Sequence, residues 1–226
     1  MAENDDIEKR VLDAAKDLFL HYGFDKTTMN DIAREAGVAK STIYTRWKKK
    51  DDLFDTLVWR ESKDYTEIWM ERVEADPDGG TYGGWMRHAL GAFFENDFLR
   101  AIYKNDRRMI GGMLQRRGTE QMFMQRMQMF IGFFKQMQDA GVVRKDVDPL
   151  TIAYLMNSLQ YGLLHFDELI PDSHTPDIDN ALTVMFQMLE AYITPDEKVD
   201  SEASKQVVRQ FMAQIRQVLD NFENDR

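Results

Sequence analysis

The sequence predicts an all-α protein, with an N-terminal three-helix helix-turn-helix domain joined by a long helix to a C-terminal helical bundle. Apolar residues recur at intervals of three and four almost throughout the 226 residues, which is the spacing of amphipathic helices. No stretch alternates apolar and polar residues over strand length between hairpin turns. Glycine or proline separates the periodic stretches, as expected at helix ends. We therefore expect about ten helices, divided into domains at residues 1–50 and 51–226.

The first three helices are short enough to form one small bundle. The first is predicted over residues 6–22, where Gly23 provides a C-terminal stop. Thr28 is placed to cap a second, short helix, and Asp31 is placed to reciprocate in a capping box. Gly37 ends that helix, and another short helix follows after two residues.

Residues 28–47 have the pattern of a helix-turn-helix, two short helices joined by a tight turn that contains glycine. Small and apolar residues recur on one side of both helices and in the turn. The residues expected to face inward are Ile32, Ala33, Ala36, Val38, Ile43 and Trp47. The second helix keeps hydrogen-bond donors outward, as a reader of the major groove requires. These outward residues are Lys40, Ser41, Thr42, Tyr44, Thr45 and Arg46.

A long helix is predicted from about Asp51, and the Asp-Pro-Asp-Gly-Gly sequence at 76–80 breaks it. Asp148-Pro149 and Thr175-Pro176 are read as caps followed by proline at the first helical position. The last helix carries an apolar stripe that ends at Phe222. The helices predicted after the long one cover about 82–103, 105–117, 119–140, 149–168, 176–193 and 201–222.

Charge is distributed unevenly. The chain carries a net charge of −10, but residues 1–60 account for only −1 of it. Residues 40–50 hold five basic side chains and no acid, so this end alone is suited to phosphate. A basic run by itself is more often a solvated face, and a helical hairpin with an ordinary basic surface is the alternative interpretation.

Side-chain chemistry assigns roles within this region. Thr28, at a helix N-terminus, suits a phosphate. Tyr44, Lys48 and Lys50 are expected to hold flanking phosphates. Contacts to bases come mainly from the N-terminal part of a recognition helix. The residues expected to reach base edges are Lys40, Ser41, Thr42 and Arg46.

The sequence from Thr27 to Tyr44, followed by an aromatic residue, a lysine-rich turn and Asp-Asp-Leu-Phe, resembles the tetracycline-repressor (TetR) family over about residues 7–57. The resemblance implies an N-terminal DNA-binding domain, a divergent effector-binding domain and a dimer made by the last two helices of a nine-helix core. It supports Thr28, Tyr44 and Lys50 as phosphate contacts, and residues 39–42 and 44–46 as the operator-facing surface. Two departures are Trp47, where phenylalanine is more usual, and Ala39, where serine is common. The helix after Ser201 lies beyond the usual core, where it would pack across the dimer or cover the pocket.

Two helices of the second domain are candidates for a dimer interface. The helix at 149–168 is apolar on more than one face and must therefore be covered twice. We expect one face to meet a second copy of the chain, since two-fold operators favour dimers. A single-chain core is the alternative. The predicted interface residues are Ile152, Leu155, Leu159, Leu163, Ile178, Leu182, Met185 and Leu189.

Seven methionines lie between Met109 and Met137 with several phenylalanines among them. Methionine adapts to several apolar shapes, which suits an effector pocket, although such a stripe is more often plain core. Asn157 and Tyr161 would be polar handles in an apolar site. The predicted ligand-binding residues are Trp69, Trp85, Phe94, Met113, Met127, Phe130, Phe134, Asn157 and Tyr161.

Other classes of function find little support. Cysteine is absent, His88 and His165 stand alone, and no nucleophile triad or phosphate loop is recognisable. The N-terminus is acidic and no apolar run reaches spanning length. We therefore expect a cytoplasmic, non-catalytic regulator without cofactor or metal, whose partners are a double-stranded DNA operator, a small apolar effector and a second copy of the chain. The alternative is an apolar-ligand-binding or protein-interaction module that ignores DNA.

Overall fold

The computed structural model describes residues 2–103, 119–196 and 199–224, and within these ranges all regular structure is helical. This confirms the predicted all-α fold. Short 3-10 turns cover Phe166–Leu169 and Asp172–His174. The α-helices are α1 (Ala2–Tyr22), α2 (Met29–Glu35), α3 (Lys40–Arg46), α4 (Lys50–Ala75), α5 (Tyr82–Glu95), α6 (Asp97–Tyr103), α7 (Thr119–Asp139), α8 (Pro149–His165), α9 (Ile178–Ile193) and α10 (Ser201–Asn224).

The described residues form two compact units. The first contains residues 2–64, 96–103, 119 and 219–224, and the second contains residues 65–95, 120–196 and 199–218. The long helix α4 therefore contributes its first residues to one unit and its last residues to the other. The boundary predicted at residue 50 divides the chain by function rather than by compact units, and it stays a prediction.

Four phenylalanines form the centre of the first unit. Phe19 and Phe24 come from α1 and the loop after it, Phe54 from α4 and Phe98 from α6. Their neighbouring ring centroids are 5.3–5.6 Å apart, within the range of favourable aromatic pairs. Phe19 and Phe98 are fully buried. This cluster gives α2 and α3 a rigid base.

The core of the second unit is built around Trp85 of α5. The Trp85 ring lies edge-on to Tyr82 at 5.4 Å and to Phe133 of α7 at 4.9 Å. The indole N–H of Trp69 donates to the carbonyl oxygen of Trp85 at 3.0 Å, so α4 and α5 are joined inside the core. Phe211 of α10 completes the cluster against Phe133, with the ring centroids 4.4 Å apart.

Two predicted helix boundaries were wrong. The helix predicted over 82–103 is interrupted at Asn96, whose side-chain oxygen accepts the backbone N–H of Leu99 at 3.0 Å and caps α6. The helix expected to start at Thr175-Pro176 begins at Ile178. Asp177 precedes it and accepts the N–H of Asn180 at 3.3 Å, so the aspartate replaces the predicted threonine as cap.

Other predicted caps and stops are confirmed. Asp148 caps α8, accepting the N–H of Thr151 at 3.1 Å, and Pro149 occupies the first helical position. Helix α8 ends at His165 and passes into a 3-10 turn, slightly earlier than predicted. Gly141 ends the segment after α7 with a φ of +74°, a conformation that favours glycine. The helix predicted over 105–117 lies outside the described residues.

Candidate nucleic-acid interface and candidate effector site

The N-terminus of α2 is fixed by the predicted capping box. The hydroxyl of Thr28 accepts the backbone N–H of Asp31 at 3.2 Å, and the Asp31 carboxylate accepts the backbone N–H of Thr28 at 3.1 Å. Hydrogen bonds from the hydroxyl and N–H of Thr28 hold the pKa of Asp31 below its usual value. The carboxylate that organises this turn therefore stays ionised at neutral pH.

The turn between α2 and α3 depends on Gly37. Its φ of +64° lies in the left-handed region, where a side chain is strained. The N–H of Val38 donates to the carbonyl of Ala33 at 3.0 Å, which closes the turn after α2. Val38 packs on the core of the first unit, as predicted from its place in the pattern. The turn consequently sets a fixed angle between the two helices.

Helix α3 is anchored by two side chains on its inner face. Ile43 is 1% exposed and Trp47 is 5% exposed. The indole N–H of Trp47 also donates to the hydroxyl of Thr56 on α4 at 2.8 Å. The i, i+4 anchors predicted from the sequence are thus both buried, and α3 is attached to the α1–α4 base along its length.

The opposite face of α3 is open. Ser41 and Thr45 are exposed, Thr42 is half-buried, and Tyr44 is 42% exposed. The ammonium of Lys40 lies 5.6 Å from the centre of the Tyr44 ring. Ala39 precedes the helix as its N-terminal cap residue, provides no side-chain hydrogen bond there, and is exposed. The structure therefore brings the predicted operator-facing residues onto one accessible surface, which we call the α3 face: residues 39–42, 44 and 45.

The predicted DNA contacts Lys48, Arg46 and Lys50 have different surroundings. Lys48 is exposed just after α3. The guanidinium of Arg46 is ion-paired with the carboxylate of Glu8 on α1 and is largely covered. Sequence spacing did not reveal this pair because its partners are 38 residues apart.

Lys50 is held by the loop that follows α1. Its ammonium donates to the carbonyl oxygens of Phe24 and Thr27, the latter at 2.8 Å, and lies 4.2 Å from the centre of the Phe24 ring. Burial lowers the pKa of Lys50, against the opposing effect of Asp25 and Asp51. The lysine thus ties the loop that carries Thr28 to the start of α4, a role that the basic run did not indicate.

A buried carboxylate that the sequence analysis missed lies beneath these helices. Glu61 of α4 is 3% exposed and accepts hydrogen bonds from Lys16 at 2.7 Å, Arg60 at 2.8 Å and Asn96 at 3.0 Å. Burial alone would raise the pKa of Glu61, but the bonds from Lys16 and Arg60 outweigh it and lower the pKa. The network joins α1, α4 and the residue that caps α6.

An apolar groove runs between α8 and α9 in the second unit. Its volume is about 570 Å³. Met188 is 69% exposed, Val184 56% and Leu159 37%, so a continuous strip of apolar side chains faces outward. The residues that line it are Leu159, Gly162, Phe166, Ala181, Val184, Met185, Met188, Leu189 and Tyr192.

The predicted interface residues separate into three groups. Leu159, Met185 and Leu189 line the groove, and Leu155 is exposed at 46%. Ile152 is 3% exposed and belongs to the core of its own unit. The side chains of Leu163, Ile178 and Leu182 lie outside the described ones. Val184, Met188 and Tyr192 also line the groove and continue the same helical stripe, although the sequence prediction did not include them.

The predicted ligand-binding residues also separate. Trp69, Trp85 and Phe134 are buried together in the core, and Phe94, Met127 and Phe130 pack against it. Asn157 is half-buried and its amide donates to the carbonyl of Ala153 at 2.7 Å, whereas Tyr161 is 56% exposed. Met113 lies outside the described residues. The structure therefore assembles the apolar candidates around one aromatic cluster and leaves the two polar ones apart from it.

His88 has a structural partner. Its Nε2 lies 2.8 Å from a carboxylate oxygen of Asp76, in the turn that follows α4. Within the described residues, no three histidine, aspartate or glutamate side chains come together as a metal site. None of the described helices is long and apolar enough to span a membrane.

Residues 2–64 contain a helix-turn-helix formed by α2, the Gly37 turn and α3. Residues 11–57 match the profile of "Bacterial regulatory proteins, tetR family". The likeness to the tetR family therefore concerns this N-terminal region.

One curated relative is an uncharacterised HTH-type transcriptional regulator, YhgD of Bacillus subtilis, which is 41% identical over 69 residues. That match covers 29% of this chain and 36% of the relative, so the chain matches about a third of that relative's length. A match of this length leaves most of the chain uncovered.

Solved structures extend the likeness in fold to most of the chain. SmeT, the repressor of the Stenotrophomonas maltophilia multidrug efflux pump SmeDEF, has a TM-score of 0.61 at 20% identity, covering 84% of this chain and 91% of SmeT. A SmeT–triclosan complex has a TM-score of 0.60 at 17% identity, covering 84% and 92%. At these identities the likeness concerns the fold alone.

Proposed function

We propose that this protein is a ligand-responsive transcriptional regulator, a repressor that binds a palindromic operator as a dimer and is released by a small apolar effector. The observation that carries the proposal is the α3 face. A capped α2, a glycine turn and two buried anchors hold α3 in a fixed orientation with its donors exposed. These are the features that a major-groove reader needs.

The α3 residues divide by chemistry into two kinds of contact. Lys40, Ser41 and Thr42 lie at the N-terminal end of α3, from which recognition helices reach base edges. Tyr44 and Lys48, both exposed, are proposed to hold the flanking phosphates, which position the protein on the duplex. Arg46 reaches a base only by exchanging its ion pair with Glu8, so we rank it below Lys40 as a specificity contact.

Dimerisation through the α8–α9 groove supports two-fold operator binding. Exposed apolar strips of this kind are typical of surfaces that a partner covers. Two copies related by a two-fold axis would pair the same strip on each chain, as isologous interfaces require. Recognition helices about 34–36 Å apart would then occupy successive major grooves.

The effector is proposed to bind in the second unit, at the aromatic cluster around Trp85. The cluster is apolar and rich in adaptable phenylalanine and methionine side chains. Support by analogy comes from the SmeT–triclosan complex, since SmeT is a repressor of similar fold. Because α4 is continuous from one unit to the other, a shift of its end is our proposed route to DNA release. The ligand must bind the DNA-free state more tightly.

A release experiment tests this proposal. An operator duplex, first selected from random DNA by the protein, is labelled and bound at moderate salt. It is then titrated with a panel of apolar compounds, while fluorescence anisotropy reports the bound fraction. We expect at least one compound to lower operator affinity in a saturable manner. If ligands that saturate the second unit leave operator affinity unchanged, the effector-responsive part of the proposal is wrong.

A further inference from the structure

The last helix covers one side of the aromatic cluster in the second unit. We call residues 201–216 of α10 the strap. Phe211 of the strap is 2% exposed, and its ring lies 4.4 Å from Phe133 and 5.9 Å from Phe130, both on α7. Val208 and Met212 are buried beside it. Removing the strap would therefore expose the α7 aromatic side chains.

The start of the strap is fixed to the turn after α4. The hydroxyl of Ser201 donates to the carbonyl of Pro77 at 2.7 Å and accepts the N–H of Gly80 at 3.2 Å. A Cβ at Gly80 would lie 1.9 Å from the Ser201 carbonyl oxygen, so glycine is required for this approach. The N-terminal end of the strap is therefore fixed to the turn after α4.

Beyond that point the strap is held to α4 by charged groups. Lys205 is 6% exposed and donates to the carbonyl of Glu74 at 3.3 Å, where it also neutralises the negative end of α4. Arg209 makes two bonds to the Glu74 carboxylate, one of them 2.7 Å long, and another to Glu202 at 2.8 Å. Arg209 lowers the pKa of Glu74, so the pair is ionised at neutral pH.

The Arg209–Glu74 attachment is open to solvent, unlike the apolar contacts of the cluster itself. The side chains of Arg209 and Glu74 are 42% and 39% exposed, and exposed ion pairs are individually weak and screened by salt. The strap buries only three apolar side chains, whereas α5 buries Tyr82, Trp85, Met86 and Leu90 among others. Elements with few buried apolar contacts open first in a native protein.

We infer that the strap is a gate: an apolar effector reaches Phe130 and Phe133 by lifting the strap from α7, and the Arg209–Glu74 pair is the latch that holds the gate closed. This inference rests on the proposed effector site in the second unit. It adds the route of access and the residues that control its rate. The fixed Ser201 end makes the motion a hinge about the turn at 77–80.

Uptake of a neutral apolar probe tests the gate. N-phenyl-1-naphthylamine is mixed with the full-length protein in a stopped-flow fluorimeter, and the association rate is read from its fluorescence. Arg209→Gln removes the latch and is expected to raise that rate at least threefold. Arg72→Gln is the matched control, because Arg72 forms a comparable two-bond pair between α4 and Glu95 without touching the strap. Added salt should accelerate the wild type more than Arg209→Gln, in which the exposed Arg216–Glu67 pair still joins the strap to α4 through opposite charges.

A covalent cross-link between positions 74 and 209 should instead slow uptake of the probe. The chain has no cysteine, so Glu74→Cys with Arg209→Cys introduces a single reactive pair. Joining the pair with bismaleimidoethane is expected to slow uptake at least tenfold relative to the same double variant left unjoined. Hydrogen exchange of the strap amides, faster than that of α5 in the wild type, checks the motion without any substitution.

The outcomes separate the gate from the proposed function. Uptake by the joined variant at the unjoined rate, an equal acceleration by Arg72→Gln, or no probe binding by any variant would each overturn the gate. Operator binding is measured on the same samples by anisotropy. A failed gate with intact operator binding leaves the regulator proposal standing, whereas lost operator binding in the wild type removes the proposal itself.

Discussion

The indole nitrogen of Trp47 and the hydroxyl oxygen of Thr56 are 2.8 Å apart, and their hydrogen bond ties the end of α3 to α4. Thr56 is itself held, since its hydroxyl donates to the carbonyl of Asp52 at 2.9 Å. Trp47 thus supplies a polar bond as well as a buried apolar anchor. The bond therefore links α3 directly to the first turns of α4.

Replacing Trp47 by phenylalanine should separate the bond from the packing. We expect Trp47→Phe to lower the free energy of unfolding by about 1 kcal/mol, the usual net value of one hydrogen bond. Operator affinity should fall severalfold because the end of α3 loosens. Trp59→Phe is the control, since its indole N–H has no hydrogen-bond partner in the described part of the chain. Urea unfolding measures both, and equal losses would contradict the assignment.

Lys48 and Lys40 should differ in how their loss affects DNA binding. Lys48→Gln removes a phosphate contact, so affinity should fall about equally for all sequences and the salt slope should decrease by about 1. Lys40→Gln removes a base contact and should relax specificity at one position of each half-site. Lys145→Gln, an exposed lysine of the second unit, is the control. Matching profiles for Lys40→Gln and Lys48→Gln would refute the division of roles.

Glu61 should make the first unit sensitive to acid. Its pKa is lower in the folded protein than in the unfolded chain, so its contribution is fully present above about pH 5 and is lost as pH falls through the folded value. We expect Glu61→Gln to cost about 1–3 kcal/mol near neutral pH, because it breaks buried charged hydrogen bonds. The difference from wild type should vanish at low pH.

Chemical unfolding at several pH values measures this effect. Glu67→Gln is the control, since the Glu67–Arg216 pair is exposed on both sides and should contribute well under 1 kcal/mol. A pH-independent cost of Glu61→Gln would mean that shape, rather than charge, holds the network.

The α8–α9 groove should hold the dimer together. Leu159→Glu places a charge in the apolar strip and is expected to convert the protein to a monomer in sedimentation velocity runs. Operator affinity should fall more than tenfold with it, because two half-sites no longer bind together. Gln187→Glu adds the same charge at an exposed position on the same α9 helix outside the groove. Dimerisation that survives Leu159→Glu would place the interface elsewhere.

Much of the first unit could be predicted because its signals are local. The Thr28–Asp31 capping box, the Gly37 turn and the Ile43 and Trp47 anchors all lie within a few residues of one another. Helix periodicity also gave the bounds of most helices to within a few residues. The helix break at Asn96 was not predicted. An asparagine in an apolar periodic stretch caps a helix only where the chain turns, and the periodicity does not reveal that turn.

Contacts between distant residues could not be predicted. The Arg46–Glu8 pair joins residues 38 positions apart, and the Arg209–Glu74 pair joins residues 135 positions apart. Charged residues are too numerous for composition to select these partners. Ile152 was predicted at the dimer interface but is buried in the core of its own unit. Helix α8 is apolar on two faces, and the sequence does not say which of them packs within the chain.

The most direct test of the account is selection of random duplex DNA by the wild-type protein and by a Lys40→Ala/Tyr44→Ala variant, with retained sequences read at moderate and raised salt. We predict that the wild type enriches a palindrome whose half-sites are about one helical turn apart, with salt-sensitive affinity. The folded variant should enrich nothing. Absence of any enriched sequence and of retention by the wild type at low salt would contradict the account.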